Sequence, residues 1–157
     1  MKGRRTGLLS AAALVVVLLP AFSSAIASDE FYLSRLREGV EAFQAKRTVD
    51  AIDRLRIACF GLLDTPASLE EGLAVLSLAY ADSGRTADVD VTLIHFLEVE
   101  RKFGAYPKTS LSPTLKSVFE TLLLRTTKPE VLAGYPNLAS IGKSLPTKGG
   151  KAVEKKK

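Results

Sequence analysis

Hydrophobic positions recur at three- and four-residue intervals through most of this chain, in five blocks separated by short polar, glycine- or proline-bearing stretches. In the first block Leu33, Leu36, Val40 and Phe43 form one stripe. It predicts a helix over Asp29 to Ala45, with Asp29 and Glu30 as the acids that favour a helix start. Lys46-Arg47-Thr48 reads as a turn. Ile52, Leu55, Ile57, Ala58, Leu62 and Leu63 then predict a second helix from Val49 to Leu63, ended at Asp64-Thr65-Pro66 because proline disfavours helical geometry in the residue before it. Ser68 with Glu71 three residues on is a capping-box pattern and opens a third helix from Leu69 to Ala81. That helix is apolar on most sides, which marks an element covered by several neighbours.

Gly84 supplies a permissive residue in the next turn, Asp82-Ser83-Gly84-Arg85. A fourth helix follows from Thr86 to Phe103, with Val89, Leu93, Phe96, Leu97 and Val99 facing inward. Its β-branched Val89, Val91, Thr92 and Ile94 would suit a strand as well; the length and the 3.6-residue spacing decide for a helix. Ser112-Pro113 starts a fifth helix with a capping hydroxyl and a proline at the first helical position, and Leu115, Val118, Phe119, Leu122 and Leu123 give it one apolar face. The pattern predicts an all-α fold of about five helices, two helix-turn-helix pairs and a closing helix. Apolar periodicity fades after Pro129. The folded unit is therefore expected to span 28–128, with 129–157 a flexible basic tail.

Charge changes the picture only at the two ends. The chain of 157 residues is 46% hydrophobic and 25% charged, which suits one folded domain. Its formal charge of +5 includes Lys2, Arg4 and Arg5 at the start and six lysines against Glu154 from Lys143 onward, so the part between them carries −3. A basic fold is not implied.

Residues 1–27 have the three parts of a secretory signal: the basic start, an apolar centre from Leu8 to Leu19, and a small-residue end at Ala25-Ile26-Ala27. The apolar run before Pro20 is twelve residues, short of the roughly 20 a membrane span needs, so cleavage before Ser28 is expected rather than an anchor. The expected location is periplasmic or secreted, with no stable membrane span after cleavage.

Little in the chain carries chemistry. His95 is the only histidine and lies between Ile94 and Phe96 with no ligand partner close in sequence. Cys59 is the only cysteine; it sits on an apolar helix and is expected to pack as a small hydrophobe. Asp82, Asp88 and Asp90 lack the alternate spacing and closing glutamate of a calcium loop. No phosphate loop, G-x-S-x-G or H-E-x-x-H motif occurs. These absences lead to an expectation of no enzyme activity, no cofactor and no metal. The lysine tail has no interleaved aromatic residue to stack on bases, so no nucleic-acid partner is expected.

The two helix pairs share a pattern. Leu73, Leu76, Tyr80, Gly84 and Leu93 in the second, and Gly39, Ala42, Ala51, Leu55 and Ala58 in the first, fall at spacings that resemble the tetratricopeptide repeat (TPR). The offset is 38 residues (80 − 42, from Ala42 to Tyr80), longer than the roughly 34-residue period of that repeat, and the Asp64 to Ser68 loop accommodates the excess. Arg35, Glu38, Ser77 and Phe96 depart from the pattern, and neither pair ends in the expected proline. The chain resembles a degenerate two-repeat unit of small exported bacterial TPR-like proteins.

The resemblance implies a scaffold that binds a protein or peptide in a groove lined by the first helix of each pair. On this chain that face is Leu33, Leu36, Val40, Phe43 and Gln44, then Glu71, Ala74, Leu78, Ala81 and Asp82. Large apolar residues on one face need a cover. The fifth helix, a second copy of the chain or a foreign helix would each serve, so a homo-oligomer stays open. The other functional expectation is a structural or envelope-associated protein anchored by its lysine tail.

Overall fold

In the computed structural model, which describes the backbone of residues 21–143 and the side chains of 29–142, the chain is all-α, and no strand occurs among the described residues. Five helices of 14 to 24 residues, α1 (Ala21–Gln44), α2 (Thr48–Gly61), α3 (Pro66–Asp82), α4 (Thr86–Phe103) and α5 (Pro113–Thr126), are followed by two of five residues, α6 (Pro129–Ala133) and α7 (Ala139–Lys143). No described helix is long and apolar enough to cross a membrane.

Small residues determine how closely the first pair packs. Ala42, Ala51 and Ala58 are wholly buried, and Gly39 sits so close to α2 that a Cβ there would lie 2.7 Å from Leu55 Cγ. α3 lies at the centre, against α1, α2, α4 and α5, which is why it is apolar nearly all round. Its buried Ser77 donates its hydroxyl to the Ala74 carbonyl at 2.7 Å, so this departure from an apolar pattern leaves no orphan donor. Phe96, the other such departure, packs edge-on against Tyr106 and Phe119 at 5.5 and 4.8 Å between ring centroids. Tyr106 belongs to a 3-10 turn, Tyr106–Lys108, and Phe119 to α5; Phe96 fills the space beside them that a small residue on α4 would leave.

Arg35 and Glu38 also have partners. Glu38 pairs with Arg35 at 2.8 Å and with Arg54 on α2, and accepts the Ser34 hydroxyl at 3.1 Å. The Ser34 hydrogen bond first, and then the two arginines, hold its carboxyl below the usual carboxylate range.

The helix expected from Asp29 begins at Ala21, so Asp29 and Glu30 lie inside α1 and the bond after Ala27 falls within it. The apolar run Leu8 to Leu19 and most of the lysine tail lie outside the described residues. α3 starts at Pro66 rather than Leu69. Proline lacks only an N–H that the first helical turn leaves unpaired anyway, so Thr65, not Ser68, holds the capping position, without a side-chain cap. α4 and the Ser112 cap of α5 agree with expectation, the Ser112 Oγ accepting from Leu115 N–H at 3.3 Å.

The largest correction is at the C-terminal end. The fold does not stop near Lys128: Leu132, Tyr135, Leu138 and Ile141 are buried in the core. This segment is tied to the end of α4 by hydrogen bonds from Arg101 to the Tyr135 hydroxyl and from Asn137 Nδ2 to Glu100, both 2.8 Å. Two helices of five residues are too short to display a periodicity, although their apolar residues recur every third position.

Candidate functional site

The stripe expected to line a groove on α1 and α3 is divided by the packing. Leu36 and Leu78 are 4% and 5% exposed and belong to the core; Leu33, Val40 and Phe43 are half-buried against it. Gln44 and Asp82 are exposed, and Asp82 accepts the Thr48 hydroxyl at 2.7 Å, so it secures a turn. Leu33 and Leu36 do border a hollow of about 290 Å³, with Glu71 and Ser110 on its far side. The Ser110 N–H donates to Glu71 Oε2 at 2.9 Å, so the chain leading into α5 is pinned to α3 at its edge. Leu78 and Asp82 take no part in it. One open apolar groove along this face is not what the packing makes.

A more exposed apolar surface lies on the opposite side of α2. At roughly 100° per residue, Ile57 and Phe60 are turned about 160° and 140° away from Leu55, the centre of the buried face. Phe60 is 78% exposed, Leu63 65%, Ile57 45%, and Phe31 on α1 46%. Two hollows meet at Phe60 and Arg56. One, of about 510 Å³, lies between α1 and α2 over Phe31, Tyr32, Asp53 and Ile57. The other, of about 360 Å³, lies between α2 and α4, floored by Leu69, Leu73, Leu76 and Tyr80 of α3 and edged by His95 and Val99. Asp53 and Arg56 make no ion pair with each other or with any described residue.

Gly61 explains the shape of the first hollow. A Cβ at that position would enter the Tyr32 ring, at 2.2 Å, so only glycine lets the ring lie flat against the end of α2. Ile57 and Leu63, part of the spacing that predicts α2, are exposed in the fold, as is Phe60, which that spacing does not include. The available signal was that α2 carries apolar residues on two opposed stripes, more than one core face can absorb.

Cys59 borders the second hollow, its sulfur against Gly72. Burial pushes its thiol up to about 12, which keeps it protonated and unreactive at neutral pH. His95 is exposed on α4, and no cluster of three His, Cys, Asp or Glu side chains suited to a metal occurs among the described residues. The surface presents apolar area with a few charges at its edge.

Comparison of the chain with known protein families, curated proteins and solved structures returned no match.

Proposed function

We propose that the chain is an exported helical scaffold, TPR-like in build, that binds a protein or peptide partner through the apolar surface around Phe60. The exposure of Phe60 between two hollows carries this reading: a phenylalanine 78% exposed beside Leu63, Ile57 and Phe31 concentrates apolar area that water disfavours and a partner would cover. The second hollow, walled by α2 and α4 over an apolar floor, offers the kind of surface on which an amphipathic helix docks its apolar face. The repeated helix pair supports the TPR-like reading, and the basic, apolar and small-residue segments of 1–27 support export. In this reading the surface centres on Phe60 of α2, the second helix of its pair, rather than on the stripe expected on the first helices.

The test is capture from an envelope extract, with Phe60→Ser against the unsubstituted chain and thermal melting of both. Loss of capture with an unchanged melting temperature is expected. Undiminished capture by Phe60→Ser would remove this surface from consideration. A parallel arm lacking 144–157 separates docking from anchoring by the lysine tail, since only anchoring requires it.

A further inference from the structure

At the start of α3, Glu70 is 0% exposed, and neither oxygen of its carboxylate has a hydrogen-bond partner. Against it lies Glu100 of α4, 4% exposed. Glu100 is well supplied with donors: the Tyr106 N–H reaches its Oε2 at 3.0 Å and Asn137 Nδ2 its Oε1 at 2.8 Å. Glu70 has nothing comparable. Two buried carboxylates side by side, one of them without donors, are not a stable arrangement. A single proton resolves it, because a protonated Glu70 becomes a donor to the ionised Glu100 and both are then satisfied.

We propose that Glu70 and Glu100 share one proton as a carboxyl–carboxylate latch that fastens α3 to the α4–Tyr106–Asn137 junction and opens when that proton is lost. On opening, the Glu70 charge must reach water, and α3 parts from the 3-10 turn that carries Tyr106. Tyr106, whose N–H reaches Glu100, is also a member of the Phe96–Tyr106–Phe119 ring cluster. The latch is independent of any reading of the Phe60 surface.

The surrounding charges do not relieve the pair. The Tyr106 phenol donates to Glu120 of α5 at 3.2 Å and is itself pushed upward by burial and by the carboxylates of Glu120, Glu100 and Glu70, so it stays protonated. The Lys116 ammonium lies over the Tyr106 ring, 5.1 Å from its centroid, and Arg101 is committed to Tyr135. Glu71 turns to the Ser110 N–H, away from the pair. Burial first, then the charge of Glu100, push Glu70 up to about 8; the nearby Ala105 amide, which falls short of a hydrogen bond, acts in the opposite sense and more weakly.

The folded chain therefore holds this proton more tightly than the unfolded chain. The contribution to stability is complete below about 4.5 and is lost as the pH rises toward about 8. Urea unfolding of the full chain at pH 6 and pH 8 tests the latch. The folding equilibrium constant is expected to fall by up to about tenfold per pH unit in this window, and Glu70→Gln, which keeps the shape and donates without ionising, should remove most of that slope. Equal slopes in the two chains would overturn the latch. Carbon-13 NMR of the glutamate carboxyls needs no substitution: a Glu70 midpoint near 8 is expected, and one below about 5 would overturn the latch even if Glu70→Gln failed to fold.

Discussion

Lys46 and Gly84 hold the same left-handed backbone conformation, at φ 61° and 74°, 38 residues apart (84 − 46). Around each, the next arginine N–H returns to the carbonyl five residues earlier, Arg47 to Ala42 and Arg85 to Tyr80, both at 2.9 Å. Each arginine then pairs with an aspartate three residues on, Asp50 and Asp88, at 3.2 and 2.7 Å. One helix-ending motif is thus used twice, at the turn within each helix pair. The second pair uses glycine at the left-handed position, whereas the first uses lysine, which strains its backbone there.

That difference predicts opposite effects from two reciprocal substitutions. Lys46→Gly should stabilise the chain by about 0.5–1 kcal/mol, and Gly84→Ala should destabilise it by about 1 kcal/mol. Nothing lies within 4 Å of a Cβ added at Gly84, so its cost is that of the backbone alone. Urea midpoints measure both. A loss of stability in Lys46→Gly would show that the Lys46 ammonium over the Phe43 ring, 5.8 Å from its centroid, outweighs the strain.

Gly39→Ala should be costly although alanine is the better helix former. The added methyl would meet Leu55 at 2.7 and 2.9 Å and its backbone nitrogen at 3.3 Å, so α1 and α2 must separate. A destabilisation of about 1–3 kcal/mol is expected by calorimetry. The roughly 1 kcal/mol gain that helix propensity alone predicts would refute this account of the α1–α2 spacing.

The segment beyond Lys128 should behave as core. Leu138→Ala, at a wholly buried position, is expected to cost about 2–5 kcal/mol, with Leu132→Ala similar. Truncation after Lys128 should cost at least as much, since it removes both leucines and the Asn137 hydrogen bond to Glu100. If the truncated chain melted at the temperature of the full one, the packing of α6 and α7 described above would be wrong.

The Cys59 thiol should be silent in the folded chain. With burial pushing it up to about 12, less than one thiol in a thousand is ionised at pH 8, so a disulfide reagent should react far more slowly than with free cysteine. In denaturing urea the reaction should return to the ordinary rate. Rapid native labelling would mean that α2 and α3 part readily at Gly72.

The five long helices, the Ser112-Pro113 start of α5 and the small residues at the α1–α2 contact could be read from the chain, because each is written locally. A 3.6-residue apolar period, a capping hydroxyl before proline and an alanine where two helices touch need no distant partner to be recognised. The candidate surface was only partly legible. Leu33, Leu36, Val40 and Phe43 do share one face, but a stripe does not say what lies across from it, and neighbouring helices take Leu36 into the core. Phe60 belongs to the opposite case. A helix with apolar residues on two sides is equally suited to burial on both, and only the absence of a described neighbour beyond α2 leaves one of them exposed. Tertiary structure alone also decided the fate of 129–143 and of Glu70. Two five-residue helices have no period to display, and a glutamate beside a capping pattern looks like any solvated acid until Glu100, 30 positions on (100 − 70), is folded against it. Local pattern determines what a segment can become; burial and charge pairing depend on which distant segment arrives beside it.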